Sequence, residues 1–254
     1  MNYQTIKVRF EESICFIQFY RPEANNTIND ELIEECHQVL NLCEESINVV
    51  VLEGLPEVFC FGADFRGINA SMAGEQQSLH SPEPLYDLWM KLAMGPYITI
   101  AHVRGKVNAG GMGFVAASDI VLADETAQFS LSELLFGLFP ACVLPFLVRR
   151  IGFQKANYLT LMTQPLSVNQ AFPWGLVDAF DERSETLLRR HLLRLKRLSK
   201  TAVLRYKRYM NSVDDLLFQA KSLAISANQE VFSDPRNLEG IYRYVEKGKL
   251  PWED

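Results

Sequence analysis

Short apolar runs alternate with stretches of helical spacing through the first half of the chain, and this alternation limits the possible folds most. "ICFIQFY" (14–20), "VVVLEG" (49–54), "YITIAHV" (97–103) and "DIVLAD" (119–124) read as strands. Between them, "NDELIEECHQVLNLCEE" sets Leu32, Ile33, Cys36, Val39, Leu40 and Cys43 on one helical face, with Asn29 as N-cap. "LYDLWMKLAM" returns to helical spacing and "FVAAS" gives a short helix. From about residue 143 the pattern is helical, with caps and breaks at Gly152, Ser167, Pro173, Ser184 and Ser233. Strands alternating with helices, followed by helices alone, predict an α/β protein with a helical C-terminal region. The expected division is a core over 1–190 and a helical segment over 191–254. Residues 69–84 are polar, small and proline-bearing, which predicts a mobile loop that orders around a ligand.

At 254 residues the chain can bury a large single core. Its formal charge of −6 argues against nucleic acid as a partner. The apolar runs are too short to span a bilayer, and "MNYQTIKVRFEES" is too charged for a signal peptide. Five cysteines without CxxC spacing fit a reduced, cytoplasmic protein with neither zinc nor disulfide framework.

"GMGFVA" (111–116) matches a dinucleotide-binding fingerprint, with Glu133 about 20 residues on. Two objections weigh against a nicotinamide oxidoreductase. "RGKVNAG" separates the glycines from the preceding strand, and "FVAAS" is too short for the helix that should follow. Two other features remain. "FCFGADF" (59–65) and "RGKVNAGGMG" (104–113) each place small residues in a turn after a strand. Such turns either permit tight packing or aim backbone N–H groups at a ligand that comes close. Glu133, in "FSLSELLFGL", either closes a capping box with Ser130 or serves as a buried proton-transferring acid.

"FCFGADF", "RGKVNAGGMGF…SDIVLAD", "FSLSELLFGLFP", "LSVNQAFPWGLVD" and "NQEVFSDPRNLEGIYRYVEKGKLP" together resemble the crotonase (enoyl-CoA hydratase/isomerase) superfamily, in order along nearly the whole chain. "RGKVNAGGMGF" and "SLSELLFGLFPACVLPFL" more closely resemble its polyketide β-branching dehydratases. Those enzymes remove water from 3-hydroxy-3-methylglutaryl held on an acyl carrier protein.

The resemblance implies stacked, roughly perpendicular β-sheets wrapped by helices and assembled as homotrimers or hexamers. It implies no metal or redox cofactor, only a substrate on the phosphopantetheine of a carrier protein or coenzyme A. The N–H groups of Ala63 and Gly110 become the two donors to a thioester oxygen, and Glu133 matches the second of two family glutamates. The position of the first is Gly113, and Ala141 stands where a dehalogenase branch places its nucleophilic aspartate. Cys60, Phe61 and Asp64 are further candidates for binding substrate, while Arg66, Lys91, His102 and Lys106 are candidates to hold its distal carboxylate. "RRHLLRLKRLSKTAVLRYKR" (189–208) carries nine Lys or Arg and no acid, and is either a carrier-docking face or a solvated one. Acyl-CoA hydration or isomerisation is the rival activity, disfavoured by Gly113. A non-catalytic binding protein is the other rival, disfavoured by Glu133 and both turns.

Overall fold

A computed structural model describes residues 3–64 and 81–253. Two sheets organise it. The first has six strands in the order β1-β2-β3-β5-β7-β10: β1 (Ile6–Glu11), β2 (Ile14–Phe19), β3 (Val49–Glu53), β5 (Ile98–Val103), β7 (Ile120–Ala123) and β10 (Ala179–Phe180). Apart from the antiparallel β1–β2 hairpin, neighbours in it run parallel. The second sheet, in the order β4-β6-β8-β9, contains β4 (Val58–Cys60), β6 (Lys106–Asn108), β8 (Gln128–Ser130) and β9 (Leu166–Ser167). The chain visits the sheets alternately, β3 then β4, β5 then β6, β7 then β8, and each pair leads outward into the next segment.

The runs that read as strands are continuous rather than alternating because both faces of the six-stranded sheet are covered. Cys15, Ile17, Val50, Leu52, Ala101 and Val121 face the main core. Ile14, Phe16, Val49, Val51, Ile100 and Leu122 form a second cluster with Leu187 and Leu188 of α7 (Ser184–Leu195). The main core is closed by α1 (Asp30–Ser46), α2 (Glu83–Met94), α3 (Gly111–Ala117), α4 (Leu144–Ile151) and α5 (Phe153–Met162). Asn29 caps α1 as expected, its side chain accepting the Leu32 N–H at 3.0 Å.

Several elements depart from the sequence reading. β1 was not expected; its Lys7, Arg9 and Glu11 make it an edge strand with little apolar signal. The expected turn "RGKVNAGGMG" contains β6, and the helical C-terminal half contains the two-residue strands β9 and β10. Of the predicted loop 69–84, residues 69–80 lie outside the described residues, while Glu83 and Pro84 begin α2.

After the four-residue α6 (Val168–Ala171) and α7, the chain ends in α8 (Lys200–Val213), α9 (Leu216–Ser233) and α10 (Pro235–Lys247). These helices are joined to the rest by specific polar contacts. Tyr86 Oη donates to Leu217 O at 2.7 Å. Lys207, buried on α8, reaches both oxygens of Asp119 at 2.6 Å, and Asp119 also accepts the Thr99 N–H at 2.8 Å. Lys207→Ala strands the Asp119 carboxylate beside the core. A loss of about 3 kcal/mol is expected, the low end for one partner of a buried pair because Asp119 is partly exposed, and urea denaturation measures it.

Candidate active site

β4, β6 and β8 lie side by side and parallel, so the three segments leaving their C-terminal ends emerge at one edge of the sheet. Those segments are 61–64, 109–111 and 131–133, which carry Ala63, Gly110 and Glu133. The carboxyl ends of parallel strands are where α/β sheets bind ligands.

The first turn is held against Ile28. The Ile28 N–H donates to Gly62 O at 2.7 Å and the Asp64 N–H donates to Ile28 O at 2.9 Å. In such a parallel bridge, the residue between the two bonds directs its own N–H and C=O to the other side. Ala63 is that residue, so its N–H points away from Ile28. The second turn begins with Ala109, whose N–H donates to Ser130 O at 3.1 Å and whose φ is +49°. That left-handed residue swings the chain so that Gly110 opens α3. Among the described residues neither the Ala63 nor the Gly110 N–H donates to a protein acceptor.

The two turns touch. A Cβ on Gly62 would lie 2.8 Å from Ala109 Cβ and 3.4 Å from Gly110 N, and one on Gly111 would lie 2.4 Å from Cys60 O. Gly62 also has φ +93°, which L side chains rarely adopt. The small residues are therefore required both by backbone conformation and by close approach.

Glu133 starts a 3₁₀ turn, Glu133–Phe136, ended by Gly137 at φ +76°. The capping-box expectation fails. Ser130 is the last residue of β8, its hydroxyl is engaged with Val107 O (3.2 Å) and Asn108 Oδ1 (2.8 Å), and the N-cap of the turn is Ser132. Asn108 Nδ2 in turn donates to Ser132 Oγ at 2.9 Å, tying the Glu133 segment to the strand that leads into Gly110. Glu133 Oε2 is shielded from solvent and has no hydrogen-bond partner among the described residues. Burial pushes its pKa up to about 7, opposed by backbone N–H groups of Ser132 and Glu133 itself. From outside, α10 braces the turn. Phe136 packs on Tyr244 with ring centroids 5.2 Å apart, and Asn237 Oδ1 lies 2.2 Å from where a Gly137 Cβ would stand.

The model of the enzyme family described as enoyl-CoA hydratase/isomerase matches residues 9–254. The chain belongs to that family. It is 66% identical over 255 residues to the bacillaene synthase dehydratase PksH of Bacillus subtilis, covering 100% of this chain and 98% of that protein. It superposes on the crystal structure of a polyketide-biosynthesis enoyl-CoA hydratase (pksH) from Bacillus subtilis with a TM-score of 0.96, covering 98% of this chain and 100% of that one at 66% identity. Against the mitochondrial enoyl-CoA hydratase of Pongo abelii it is 29% identical over 250 residues, 95% of this chain and 84% of the relative. The fold is the crotonase fold expected from the motifs.

The remaining sequence candidates divide. Phe61 is 40% exposed on the first turn. Cys60 is buried beneath it, with burial pushing its thiol up to about 12. Asp64 is paired with Arg21 at 2.7 Å, a contact that pins the turn to the segment before Ile28. Arg66 lies outside the described residues. Of the other candidates for the distal carboxylate, two are engaged elsewhere and one stands at the wrong end of its strand. Lys91 pairs with Glu44 at 2.6 Å and with Asn41 on α1. His102 is buried in the other sheet, with Nδ1 on Glu53 and Nε2 on Ser184, each at 2.9 Å. Lys106 stands at the N-terminal end of β6, opposite the edge that carries Gly110.

Four of the nine cations in the basic stretch 189–208 have partners. Lys200 Nζ donates to the α1 carbonyl end at Ile47 O (2.6 Å), Lys207 is buried on Asp119, and Lys196 and Arg190 face Glu12 and Asp181. Arg21 and Ile28 carried no signal of their part in the site. Each matters only through a partner distant in sequence, which local pattern does not show.

A buried acid whose pKa is raised from 4.5 to about 7 stabilises the fold least when ionised. Its folded state binds the proton more tightly than the unfolded state, so stability is lost as pH climbs from 4.5 to 7. Glu133→Gln removes that loss. The melting temperature of the variant relative to wild type should rise across this window and level off above pH 7, as differential scanning fluorimetry at stepped pH would register. A helix-capping glutamate would give the opposite sign.

Proposed function

We propose that the protein is a hydro-lyase that dehydrates 3-hydroxy-3-methylglutaryl carried on an acyl carrier protein to the 3-methylglutaconyl thioester. The observation that carries this reading is the convergence at a single sheet edge of two backbone N–H groups and one carboxylate oxygen, Glu133 Oε2, that have no protein partner among the described residues. The relative that is 66% identical over the whole chain is named as a dehydratase of bacillaene synthase, which supports both the reaction class and the polyketide setting.

The thioester oxygen sits between the Ala63 and Gly110 N–H groups, which stabilise the charge that develops there as the α-carbon loses its proton. One such donor is typically worth about 10²–10³ in rate. Glu133, ionised, takes the α-proton. The resulting electron pair forms the Cα–Cβ double bond, the Cβ–O bond breaks, and the proton held by Glu133 passes to the departing oxygen to give water. One acid thus serves both steps on one face, a syn elimination, and a tertiary hydroxyl leaves more readily than a secondary one. The raised pKa of Glu133 suits it for both roles near neutral pH.

The reading asks for no metal or redox cofactor, since phosphopantetheine presents the substrate. It includes assembly as trimers or paired trimers, supported by large apolar residues exposed on α8 and α9, among them Tyr206, Tyr209, Val213, Phe218 and Leu223. No helix among the described residues is long and apolar enough to cross a membrane.

Mass spectrometry of methylglutaryl-loaded carrier protein tests the reaction directly: loss of one water in the presence of enzyme is expected. Glu133→Gln should lower turnover at least 10²-fold, in the range of general-base losses. With wild type, kcat/KM should fall as pH drops below about 7, where Glu133 takes up its proton. A variant that keeps most of its turnover would remove Glu133 from the mechanism.

A further inference from the structure

Two buried side-chain polar atoms lack a hydrogen-bond partner among the described residues: Glu133 Oε2 and Trp89 Nε1. The first is the proposed acid. The second belongs to a fully buried indole on α2, packed edge-on against Phe114 and Phe146. An N–H shut away from water and left unpaired is costly. The packing of Trp89 onto two phenylalanines would be served equally well by an apolar ring. Some acceptor therefore remains to be named.

The position of the indole names it. A Cβ on Gly113 would lie 2.3 Å from both Cε2 and Cζ2 of Trp89 and 2.7 Å from Cδ2. All three atoms belong to the six-membered ring and Nε1 is bonded to Cε2, so the indole fills the space into which a side chain at 113 would project, with its N–H bordering that space. Gly113 is three residues beyond Gly110 on α3, so it shares a face with the Gly110 donor about one helical turn away. With the thioester oxygen on Gly110, the next oxygen along a β-hydroxyacyl chain is the β-hydroxyl, and a distal carboxylate is two bonds further on.

Resting on the dehydratase reading, we infer that Trp89 is a catalytic residue whose indole N–H donates a hydrogen bond to the hydroxyl that leaves. It holds that oxygen toward Glu133 and stabilises the negative charge it gains as the Cβ–O bond breaks. The indole proton stays on nitrogen throughout. The proton that completes the water comes from Glu133.

Trp89→Phe keeps an aromatic ring and deletes the donor. The expected result is a fall in kcat of about 10²-fold, the loss typical of one preorganised donor, with KM little changed. The melting temperature should fall only slightly, because the smaller ring leaves a small cavity while an orphaned buried donor is gone. The second measurement needs no variant except to assign the signal. Protein labelled with ¹⁵N in its three tryptophans is titrated with 2,2-difluoro acyl-pantetheine thioesters, which lack an α-proton and cannot eliminate.

The Trp89 indole N–H resonance should move downfield with the 3-hydroxy-3-methylbutyryl analogue and stay in place with the deoxy analogue. A shift of equal size with both, or one only with a glutaryl analogue that bears the carboxylate and no hydroxyl, overturns the assignment. Full kcat in Trp89→Phe alongside a dead Glu133→Gln overturns Trp89 alone. Full activity in both variants overturns the dehydratase site together with it.

Discussion

The parallel alignment of β4, β6 and β8 is the constraint on which the site depends. Parallel strands end at the same edge, so whatever follows each of them is delivered to one place without any long-range adjustment. Here the three followers are a turn, a second turn and a buried acid. The turns can touch only because positions 62 and 111 lack side chains, one of them at a φ of +93°. Asn26 adds a clamp at this edge, its buried amide donating to Val58 O and Phe59 O at 3.2 and 3.1 Å. The backbone, rather than any flexible side chain, thereby sets the position of both N–H groups, which is what electrostatic preorganisation requires.

The acid is placed by different means. Its segment is joined to β6 through Asn108, Ser130 and Ser132, and backed by the C-terminal helix through Phe136 and Tyr244. The C-terminal helices therefore do more than extend the chain: they form the outer wall of the turn that carries Glu133. Burial raises the pKa of the acid on that turn to about 7, and the fold sustains the energetic cost.

What could be read from the sequence follows from where the information lies. Residues 49–52 and Ile120–Ala123 are covered on both faces, so each left an unbroken apolar run, and Ile98–Val103 is interrupted only by Thr99 and His102. β6 did not, being three residues long with Lys106 exposed. Overlooking β6 had created one of the two objections to the dinucleotide reading, and that objection falls, since only Ala109 separates the strand from the glycines. The other stands, because α3 has only seven residues, all buried. Ser130-x-x-Glu133 has the spacing of a capping box, yet Ser130 belongs to a strand and its hydroxyl is already used. The lysines and histidine offered for the distal carboxylate were plausible by charge alone. The partners of Lys91 and His102, namely Glu44, Glu53 and Ser184, are fixed by tertiary structure, as is the placement of Lys106 at the far end of β6. The contact of Trp89 with Gly113 was illegible for the same reason, since one lies on α2 and the other on α3.

That contact also bears on how such a protein can change over generations. A glutamate introduced at 113 alone would collide with a ring wedged between two phenylalanines. Shrinking Trp89 alone would open a cavity in the core, with a stability loss of about 3–5 kcal/mol for loss of a buried aromatic. A route from this arrangement to a two-carboxylate site runs through one of two impaired intermediates, so the pair behaves as a ratchet that resists stepwise reversal.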